Sequence, residues 1–335
     1  MSETRWGLQR AVGLSDLDRD LIRMLQVDGR RSYASLARSL GIPQRQVQKR
    51  LKELSESGVV YIIPVGDPSV LGYRTLAMVG MRARGRPLAE IAADLADLDE
   101  IDYVNLTAGR FDLWAQVLCR DLGELHATVE GVIRVLPGIE HAEVFPYLRV
   151  HYQEAAFRVP DRGAALTHVA PEMSIDDLDR AIVAALSTDG RLPFKEIAEQ
   201  VGTSETQVRR RLKRLEGSGA LRVMAITNPL SHGLETIARL AITVAPAHTF
   251  TAVADALSEI EAISYVAVCT GRYDIFAEAL CVDVDELSTV IDKQVRAIEG
   301  VERCESFVHL GPLHYKPLLP AMLHGEPATS TRRGR

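Results

Sequence analysis

The sequence predicts an α+β protein built from two similar units in tandem, each a winged-type helix-turn-helix followed by a ferredoxin-like βαββαβ sandwich. Two observations predict this fold class. Blocks of sequence return at a nearly constant spacing, and inside each block the apolar spacing changes from helical to strand-like. The chain of 335 residues is also longer than one hydrophobic core usually serves. We therefore expect several domains.

The repeat spacing defines the two units. The segment "LDRDLIRMLQVDGR" begins at Leu17 and "LDRAIVAALSTDGR" at Leu178, so the offset is 178 − 17 = 161. The turns "GRFD" at Gly109 and "GRYD" at Gly271 are 271 − 109 = 162 apart. A whole unit of about 150 residues was duplicated, which is too long for a solenoid repeat. The expected boundaries are 14–65 and 174–226 for the helix-turn-helix domains, 70–152 and 231–317 for the sandwich domains, 153–173 for a linker and 318–335 for a tail.

The first part of each unit has the element order of a helix-turn-helix. Ser15 and Asp18 predict a capping box before the first helix, and Ser174 and Asp177 are expected to cap the matching helix of unit two. The short second helices are "SYASLARSLG" and "PFKEIAEQVG", each ending in a glycine turn. A basic third helix follows in both units. This order is typical of the helix-turn-helix motif.

The second part of each unit alternates strands and helices. Strands are expected at "YRTLAMVGMRAR" and "ETIARLAITVAP", followed by the amphipathic helices "LAEIAADLADL" and "FTAVADALSEI". The segments "YVNLTAGRFDLWAQVLC" and "YVAVCTGRYDIFAEALC" read as two strands joined at a Gly-Arg turn. A further helix and a last strand complete the order β-α-β-β-α-β, the split βαβ arrangement.

The basic third helix has one apolar face and one cationic face. At about 100° per residue, Val47, Leu51 and Leu54 share the buried face. Gln and Arg side chains can bind base edges, and cations bind phosphates, when such a helix lies in the major groove. The pattern returns in unit two, which makes a merely solvated face a poor explanation. The candidate DNA contacts are Gln44, Arg45, Gln46, Gln48, Lys49 and Lys52 in unit one and Thr206, Gln207, Arg209, Arg210 and Lys213 in unit two.

Two further arginines, Arg50 and Arg211, fall on the shoulder of the buried face. They suit either of two roles: bracing the first helix through its acidic residues, or contacting phosphate.

Composition and charge exclude several classes of function. The net charge of −6 is inconsistent with a protein that coats nucleic acid over its whole surface, but it allows a local basic patch. No run approaches the length of a membrane span, and the N-terminus has no apolar core like that of a secretory signal, so we expect a cytoplasmic protein. The four cysteines form no C-x-x-C pair and are expected to be reduced. Catalytic triads, phosphate-binding loops and metal-ligand spacings are missing, so we expect no cofactor, no metal and no enzymatic activity.

Both units resemble the Lrp/AsnC, or feast/famine, transcriptional regulators over nearly their whole length. The resemblance is carried by "LARSLGIPQRQVQKRLKELSESGVV" with "GRFDLW", and by "IAEQVGTSETQVRRRLKRLEGSGAL" with "TGRYDIF". It implies sequence-specific binding of double-stranded operator DNA, with a sandwich domain (called RAM, and ACT-like) that forms homo-oligomers and binds a small effector, typically an amino acid or related metabolite. Family proteins normally carry one unit, so this chain resembles a covalently fused pseudo-dimer with two DNA-binding heads.

The resemblance also implies an effector site near the G-x-x-D turns. The candidates are Thr107, Gly109 and Asp112 in unit one and Thr270, Gly271 and Asp274 in unit two. The alternative is structural, because a glycine at such a turn often supplies a positive φ and an adjacent Asp often caps it. Unit one has Ala108 where unit two has Thr270, so unit one is expected to bind a different ligand or none.

The two recognition helices also differ. Unit one has Pro43 where unit two has Ser204. It has Gln44-Arg45-Gln46 where unit two has Glu205-Thr206-Gln207. An asymmetric operator, or two unlike half-sites, is therefore expected. Two rival functions stay open: a sirohaem-decarboxylase-like enzyme of the same tandem fold, and a ligand sensor that acts through another protein. The tandem decarboxylases carry a His/Arg-rich segment where this chain has "NLTAGRFDLW" and "AVCTGRYDIF", which contain no histidine.

Overall fold

A computed structural model describes residues 5–6, 14–66, 68–153, 175–227, 233–310 and 313–315. Nearly all of the expected linker and the whole of the expected tail lie outside these residues. The helices are α1 (Asp16–Val27), α2 (Tyr33–Leu40), α3 (Gln44–Glu56), α4 (Leu88–Ala96), α5 (Leu122–Thr128), α6 (Asp177–Thr188), α7 (Phe194–Val201), α8 (Glu205–Gly217), α9 (Phe250–Ser258) and α10 (Val284–Thr289). A π-helical turn continues both α5 and α10, at Val129–Ile133 and Val290–Val295.

The strands follow the predicted order in both units. They are β1 (Arg5–Trp6), β2 (Val60–Gly66), β3 (Thr75–Ala83), β4 (Ile101–Leu106), β5 (Leu113–Cys119), β6 (Ile139–Gln153), β7 (Leu221–Thr227), β8 (Thr236–Val244), β9 (Ile263–Cys269), β10 (Ile275–Cys281), β11 (Val301–Val308) and β12 (Leu313–Tyr315). The tandem helix-turn-helix and βαββαβ sandwich predicted from the sequence is therefore the observed architecture.

Helix α1 begins at the predicted capping box. The Ser15 hydroxyl accepts from the Asp18 backbone N–H, and Asp18 Oδ2 accepts from the Ser15 backbone N–H at 2.9 Å. In unit two the predicted cap was wrong. Asp176 caps α6, and its carboxylate accepts from the Asp179 backbone N–H at 2.9 Å, while Ser174 lies outside the described residues. Aspartate caps a helix as well as serine does, and Asp176 is the residue 161 positions after Ser15.

The two helix-turn-helix domains, called the heads below (14–66 and 175–227), are joined by a two-stranded antiparallel sheet. Strands β2 and β7 pair so that Ile63 lies opposite Met224. Because 224 − 63 = 161, the repeat offset, these are equivalent residues of the two units. A pseudo-two-fold axis therefore passes through this residue pair. Ile63 and Met224 belong to a small apolar cluster around the axis.

The heads also share a single hydrophobic core, because α1 packs on β7 and α6 on β2. The loops after these helices come close to the opposite unit: Gly29 N–H donates to the Val223 carbonyl at 2.9 Å, and Gly190 N–H to the Ile62 carbonyl at 2.7 Å. A Cβ on Gly190 would lie 2.6 Å from the Ile62 oxygen, so only glycine fits there. The heads are thus one folded body.

The sandwich domains of the two units form one continuous sheet. Its strand order is β1-β12-β4-β5-β3-β6-β9-β10-β8-β11, in which the long strand β6 leaves β3 and pairs with β9 of the other unit. At the equivalent place in unit two, the chain after β11 pairs with β4 of unit one. His309, just after β11, forms a bridge with Thr107, just after β4, and β12 pairs with β4. The two pairings between the units close the sheet into a ring. Each unit therefore completes the other's sheet.

The closed sheet encloses an aromatic core between the two units. Trp114 is fully buried, with ring centroids 5.7 Å from Phe145, 5.4 Å from Phe276 and 5.1 Å from Phe307. Helices α4, α5, α9 and α10 cover the outer faces through separate aliphatic cores. The inner face of the sheet therefore forms the contact between the units, and its outer face packs against the helices to form the core of each unit.

Candidate DNA-binding and effector sites

The recognition helices α3 and α8 bury the predicted residues. Val47, Leu51 and Leu54 are at most 3% exposed. The equivalent residues Val208 and Leu212 are as deeply buried. All six candidate DNA contacts on α3 are exposed, and so are those on α8 except Gln207, which is half-buried. The polar faces of both helices therefore point away from the shared core.

The cations on the exposed faces of α3 and α8 differ in whether an acidic side chain already pairs with them. In the described part of the chain, Arg45 and Lys213 form no ion pair, and Lys49 lies 3.8 Å from Glu53, a weak contact between exposed groups. Arg209 is tied to Glu205 at 2.7 Å. Its guanidinium also lies 4.7 Å from the Phe194 ring centroid. The two heads thus present different sets of free cations.

Arg50 and Arg211 brace the first helix of each head. Arg50 Nη2 donates to Asp18 Oδ2 at 2.7 Å, and Asp18 is fully buried. The Arg50 hydrogen bonds hold the pKa of Asp18 at about 2, below its usual value. Arg211 donates to Asp176 at 2.6 Å and to Asp179 at 3.0 Å. Of the two roles left open by the sequence, the structure shows the bracing one.

The turn of unit one is held by hydrogen bonds within the sandwich. Gly109 has φ +127°, in the region that favours glycine. The Asp112 carboxylate accepts from the Ala83 backbone N–H at 2.9 Å, and the buried Thr107 hydroxyl donates to the Phe111 carbonyl at 2.9 Å. Thr107 and Asp112 therefore shape the turn, while Gly109 is exposed at its tip.

The turn of unit two repeats this geometry with a hydroxyl added at its surface. Gly271 has φ +131°, and the Asp274 carboxylate accepts from the Val244 backbone N–H at 2.8 Å. Thr270 is exposed, and its backbone N–H donates to the Pro146 carbonyl of unit one at 3.1 Å. Cys269 replaces Thr107, so this turn lacks the buried hydroxyl of unit one.

Ion pairs between the units hold both turns over the opposite unit's last strand. Arg110 lies 3.2 Å from Glu305, and the equivalent Arg272 lies 3.0 Å from Glu143. The Tyr273 hydroxyl donates to Glu305 at 2.6 Å. Any ligand at a turn would therefore contact residues that belong to the interface between units.

The sequence reasoning missed the residues that lock the heads together. Arg30 Nη2 donates to the Leu192 carbonyl at 2.9 Å, and Arg191 Nη2 donates to the Arg31 carbonyl at 3.0 Å. Arg30 also stacks on Phe194, at 4.3 Å from the ring centroid. The repeated "DGR" at the end of both first-helix segments was the available signal.

Membrane-spanning helices and metal-binding clusters are both absent from the described ranges. No helix there combines the length and the apolar character needed to cross a bilayer. No group of three or more His, Cys, Asp or Glu side chains in the same ranges is placed to hold a metal ion. All four cysteines are free thiols, and burial raises the pKa of Cys119 to about 12 and that of Cys304 to about 11.

Helix-turn-helix heads joined to ferredoxin-like sandwiches are the architecture of one class of DNA-binding transcriptional regulators, and the family matches place this chain in that class. The AsnC-type helix-turn-helix domain matches residues 14–55 and 175–216, and the Lrp/AsnC ligand binding domain matches 76–157 and 238–318. The chain belongs to the Lrp/AsnC family of transcriptional regulators, with two complete units fused in tandem.

Named relatives correspond to one unit each. An uncharacterised HTH-type transcriptional regulator of Pyrococcus furiosus is 31% identical over 131 residues, which is 39% of this chain and 88% of the relative. The HTH-type transcriptional regulator FL11 of Pyrococcus abyssi is 30% identical over 141 residues, 42% of this chain and 93% of the relative. A solved structure of the siroheme decarboxylase NirDL has a TM-score of 0.62 at 18% identity and covers 89% of this chain and 92% of that one. That likeness establishes a shared two-unit fold.

Proposed function

We propose that α3 and α8 bind two neighbouring half-sites on one face of double-stranded DNA. The observation that carries this proposal is the pairing of equivalent residues Ile63 and Met224, which relates the two recognition helices by a pseudo-two-fold axis. Helix-turn-helix dimers use such an axis to reach successive major grooves. In this assignment the residues near each helix N-terminus bind bases and the cations bind phosphates.

The two heads recognise unlike half-sites, because their exposed residues differ in chemistry. Arg45 and Gln46 can bind guanine and adenine edges bidentately. Thr206 and the Glu205–Arg209 pair offer a different set of donors and acceptors.

A selection from random DNA tests this asymmetry and provides the operator. Three duplexes are then made from the two half-sites of the selected operator. Two are symmetric, with the left or the right half-site repeated, and the third keeps the natural left-right pair. The left-right duplex is expected to bind about tenfold more tightly than either symmetric one in gel-shift titrations, since a mismatched base pair costs about 1–3 kcal/mol. Equal affinity for all three would contradict unlike half-sites.

A small effector, an amino acid or related metabolite, binds at the glycine turns. The exposed groups for this contact are Thr270 and the backbone of Gly109 and Gly271, with Thr107, Asp112 and Asp274 holding the turns in shape. The ion pairs that join each turn to the other unit would transmit binding to the interface. Effector and DNA affinities must then be coupled in both directions.

Thermal unfolding with each of the twenty amino acids tests the effector assignment. The expected result is a rise in Tm for one or a few of them, reduced in the Thr270→Ala variant. The same ligand should change operator affinity, which a gel shift measures.

Chains assemble further through their sandwich domains, as homo-oligomers. Several large apolar side chains are exposed on these domains, among them Leu122, Leu148 and Leu310. Light scattering after size exclusion measures the assembly, and a mass above 36.9 kDa, that of a single chain, is expected.

The second candidate function is decarboxylation of a tetrapyrrole, favoured by the whole-chain likeness to NirDL. We assign no catalytic residue and no enzymatic activity, because neither turn segment contains a histidine and both recognition helices keep an exposed basic face. Anaerobic incubation with siroheme discriminates between the two functions. Unchanged siroheme is expected, and loss of carboxyl groups detected by mass spectrometry would overturn the assignment.

A further inference from the structure

A cleft of about 610 Å³ lies beside the recognition helix of head one. Helix α3 contributes Lys52 and Ser55 to its lining, and β2 contributes Ile62. The loop before α7 in unit two contributes Asp189 and Arg191. The cleft is therefore formed by both units, and it lies in the heads rather than in the sandwich.

The backbone of Ile62 points toward this cleft rather than toward β7. In an antiparallel pair, a residue either exchanges both backbone hydrogen bonds with its neighbour or directs both groups away. The Ile62 carbonyl accepts from the Gly190 N–H of the unit-two loop at 2.7 Å. The Ile62 N–H therefore also points to the free edge of β2, where the cleft lies.

In unit two a carboxylate lies at the equivalent strand edge. Glu216 is equivalent to Ser55, since 216 − 161 = 55, and Val223 is equivalent to Ile62. Burial raises the pKa of Glu216, while the Val223 backbone N–H and the Arg30 guanidinium act in the opposite direction. The Glu216 carboxylate is thus a neighbour of the N–H that corresponds to the Ile62 N–H. Unit one has only a serine hydroxyl at this position.

The side chain of Arg209 takes up more of the equivalent place in unit two. Its guanidinium lies 4.7 Å from the ring centroid of Phe194, the equivalent of Tyr33, which lines the cleft. In unit one the residue equivalent to Arg209 is Gln48, which is shorter and uncharged. Unit two therefore fills with its own side chains a place that unit one leaves open.

The charges around the cleft favour an anion. Lys52 lies 3.7 Å from Glu56, a weak contact between exposed groups. The Arg191 guanidinium is held by two backbone carbonyls of unit one. Asp189 accepts from the Arg191 backbone N–H at 2.8 Å and so shapes its own loop. Two cations and one acid line the cleft, and a single carboxylate would balance them.

The rest of the lining is aromatic and aliphatic. It includes the rings of Tyr33 and Tyr61 and the side chains of Leu51 and Ile63. Clefts of roughly 300–1,000 Å³ with such a lining and a few polar groups are typical small-molecule sites. Because tyrosine rings stack on flat apolar groups, an aromatic ligand body suits this surface.

We propose that this cleft binds one small aromatic carboxylate per chain, in the place that Glu216 takes in unit two. The ligand carboxylate accepts from the Ile62 N–H and faces Lys52, and its ring packs on the two tyrosines. The site is separate from the glycine turns and goes beyond the function proposed above. Since Lys52 is also a proposed phosphate contact, the bound ligand should weaken operator binding, and this consequence rests on the proposed function.

The test copies the unit-two carboxylate into unit one. Ser55→Glu places a tethered carboxylate in the cleft, at a position where unit two already carries Glu. Gln200→Glu is the matched control, because it adds the same charge to an exposed position on α7 of head two. The probe is 2-naphthoate, titrated into each full-length protein while the backbone amide signals are followed by NMR. Naphthalene-2-carboxamide, which lacks the charge, and acetate, which lacks the ring, are titrated into the wild type.

The wild type and the control should bind one naphthoate, with a large shift of the Ile62 amide signal. Ser55→Glu should bind about tenfold more weakly or less, and so should the amide and acetate with the wild type, as expected when a charged hydrogen bond or the ring contact is lost. Equal affinity in Ser55→Glu, equal affinity for the amide, shifts confined to the sandwich, or no binding would each overturn the proposal.

Operator binding is measured separately, by gel shift at constant ionic strength. Naphthoate should lower the affinity of the wild type for the operator and leave that of Ser55→Glu unchanged. An unchanged wild-type affinity with naphthoate bound would overturn the link to DNA. The NMR titration contains no DNA, so failure of the DNA-binding function and failure of the ligand site are distinguishable.

Discussion

At the scale of single residues, each head is held together by an arginine on the recognition helix and a buried acid on the first helix. Arg50 and Asp18 form this pair in head one, and Arg211 reaches both acids of the capping box in head two. The pair fixes the angle at which the recognition helix leaves the core. An arginine on each basic helix therefore stabilises the fold of its head.

Replacing Arg50 by Ala should destabilise the protein by on the order of 2 kcal/mol, because the buried Asp18 carboxylate loses its partner. The folded-state pKa of Asp18 is depressed from 3.8 to about 2, so the contribution is complete above about pH 4. It is lost as the pH falls toward 2. Urea unfolding of variant and wild type between pH 7 and pH 3 measures the difference, which should shrink at the acid end.

The matched control for this change is Arg19→Ala. Arg19 contacts Asp16 at 3.0 Å, but both side chains are more than half exposed, so a loss below about 0.5 kcal/mol is expected. Equal losses for the two variants would mean that burial of Asp18 does not decide the energy.

At the scale of elements, the pairing of β2 with β7 turns two heads into one body. The strands meet at equivalent residues, and Gly29 and Gly190 let each first-helix loop approach the other unit's strand. Both glycines donate a backbone hydrogen bond across the axis. This contact, rather than any single side chain, sets the distance between the recognition helices.

Substituting Gly190 by Ala should lower stability by about 1–3 kcal/mol, because the new methyl group would clash with the Ile62 carbonyl. Hydrogen exchange should show faster opening in both heads, since they share a core. Gly217→Ala is the control: it lies in α8 with open space around it, and a neutral or slightly stabilising effect is expected. A Gly190→Ala effect confined to head two would contradict the shared core.

Helical faces and the repeat were predictable, but contacts between units were not. The buried triplets such as Val47, Leu51 and Leu54 follow from the helical period of about 3.6 residues. The cap of α6 was predicted at Ser174, two residues too early; the repeat offset of 161 from Ser15 leads to Asp176, which caps the helix. The pairing of β2 with β7 depends on residues far apart in the chain, for which local periodicity carries no signal.

At the scale of the whole molecule, one chain does what a pair of identical subunits would otherwise do. Fusion allows each half to diverge, and the two halves differ at the recognition helices and at Thr270, where unit one has Ala108. We expect one chain to occupy one pair of half-sites. Titration of a selected operator under stoichiometric conditions should give one chain per duplex. In a larger assembly it should give one chain per pair of half-sites. Two chains per pair of half-sites would contradict this expectation.

The central claim is that two unlike heads bind DNA jointly, and the salt dependence of operator binding tests it most directly. Fluorescence anisotropy between about 50 and 200 mM salt would compare wild type with Lys49→Ala/Lys52→Ala, with Arg210→Ala/Lys213→Ala, and with the sandwich control Arg134→Ala/Arg296→Ala. Each head variant should weaken binding and reduce the slope of log K against log salt by about 2, roughly 0.9 for each phosphate that is no longer neutralised, while the control keeps the wild-type slope. An unchanged slope in either head variant would mean that this head does not bind DNA.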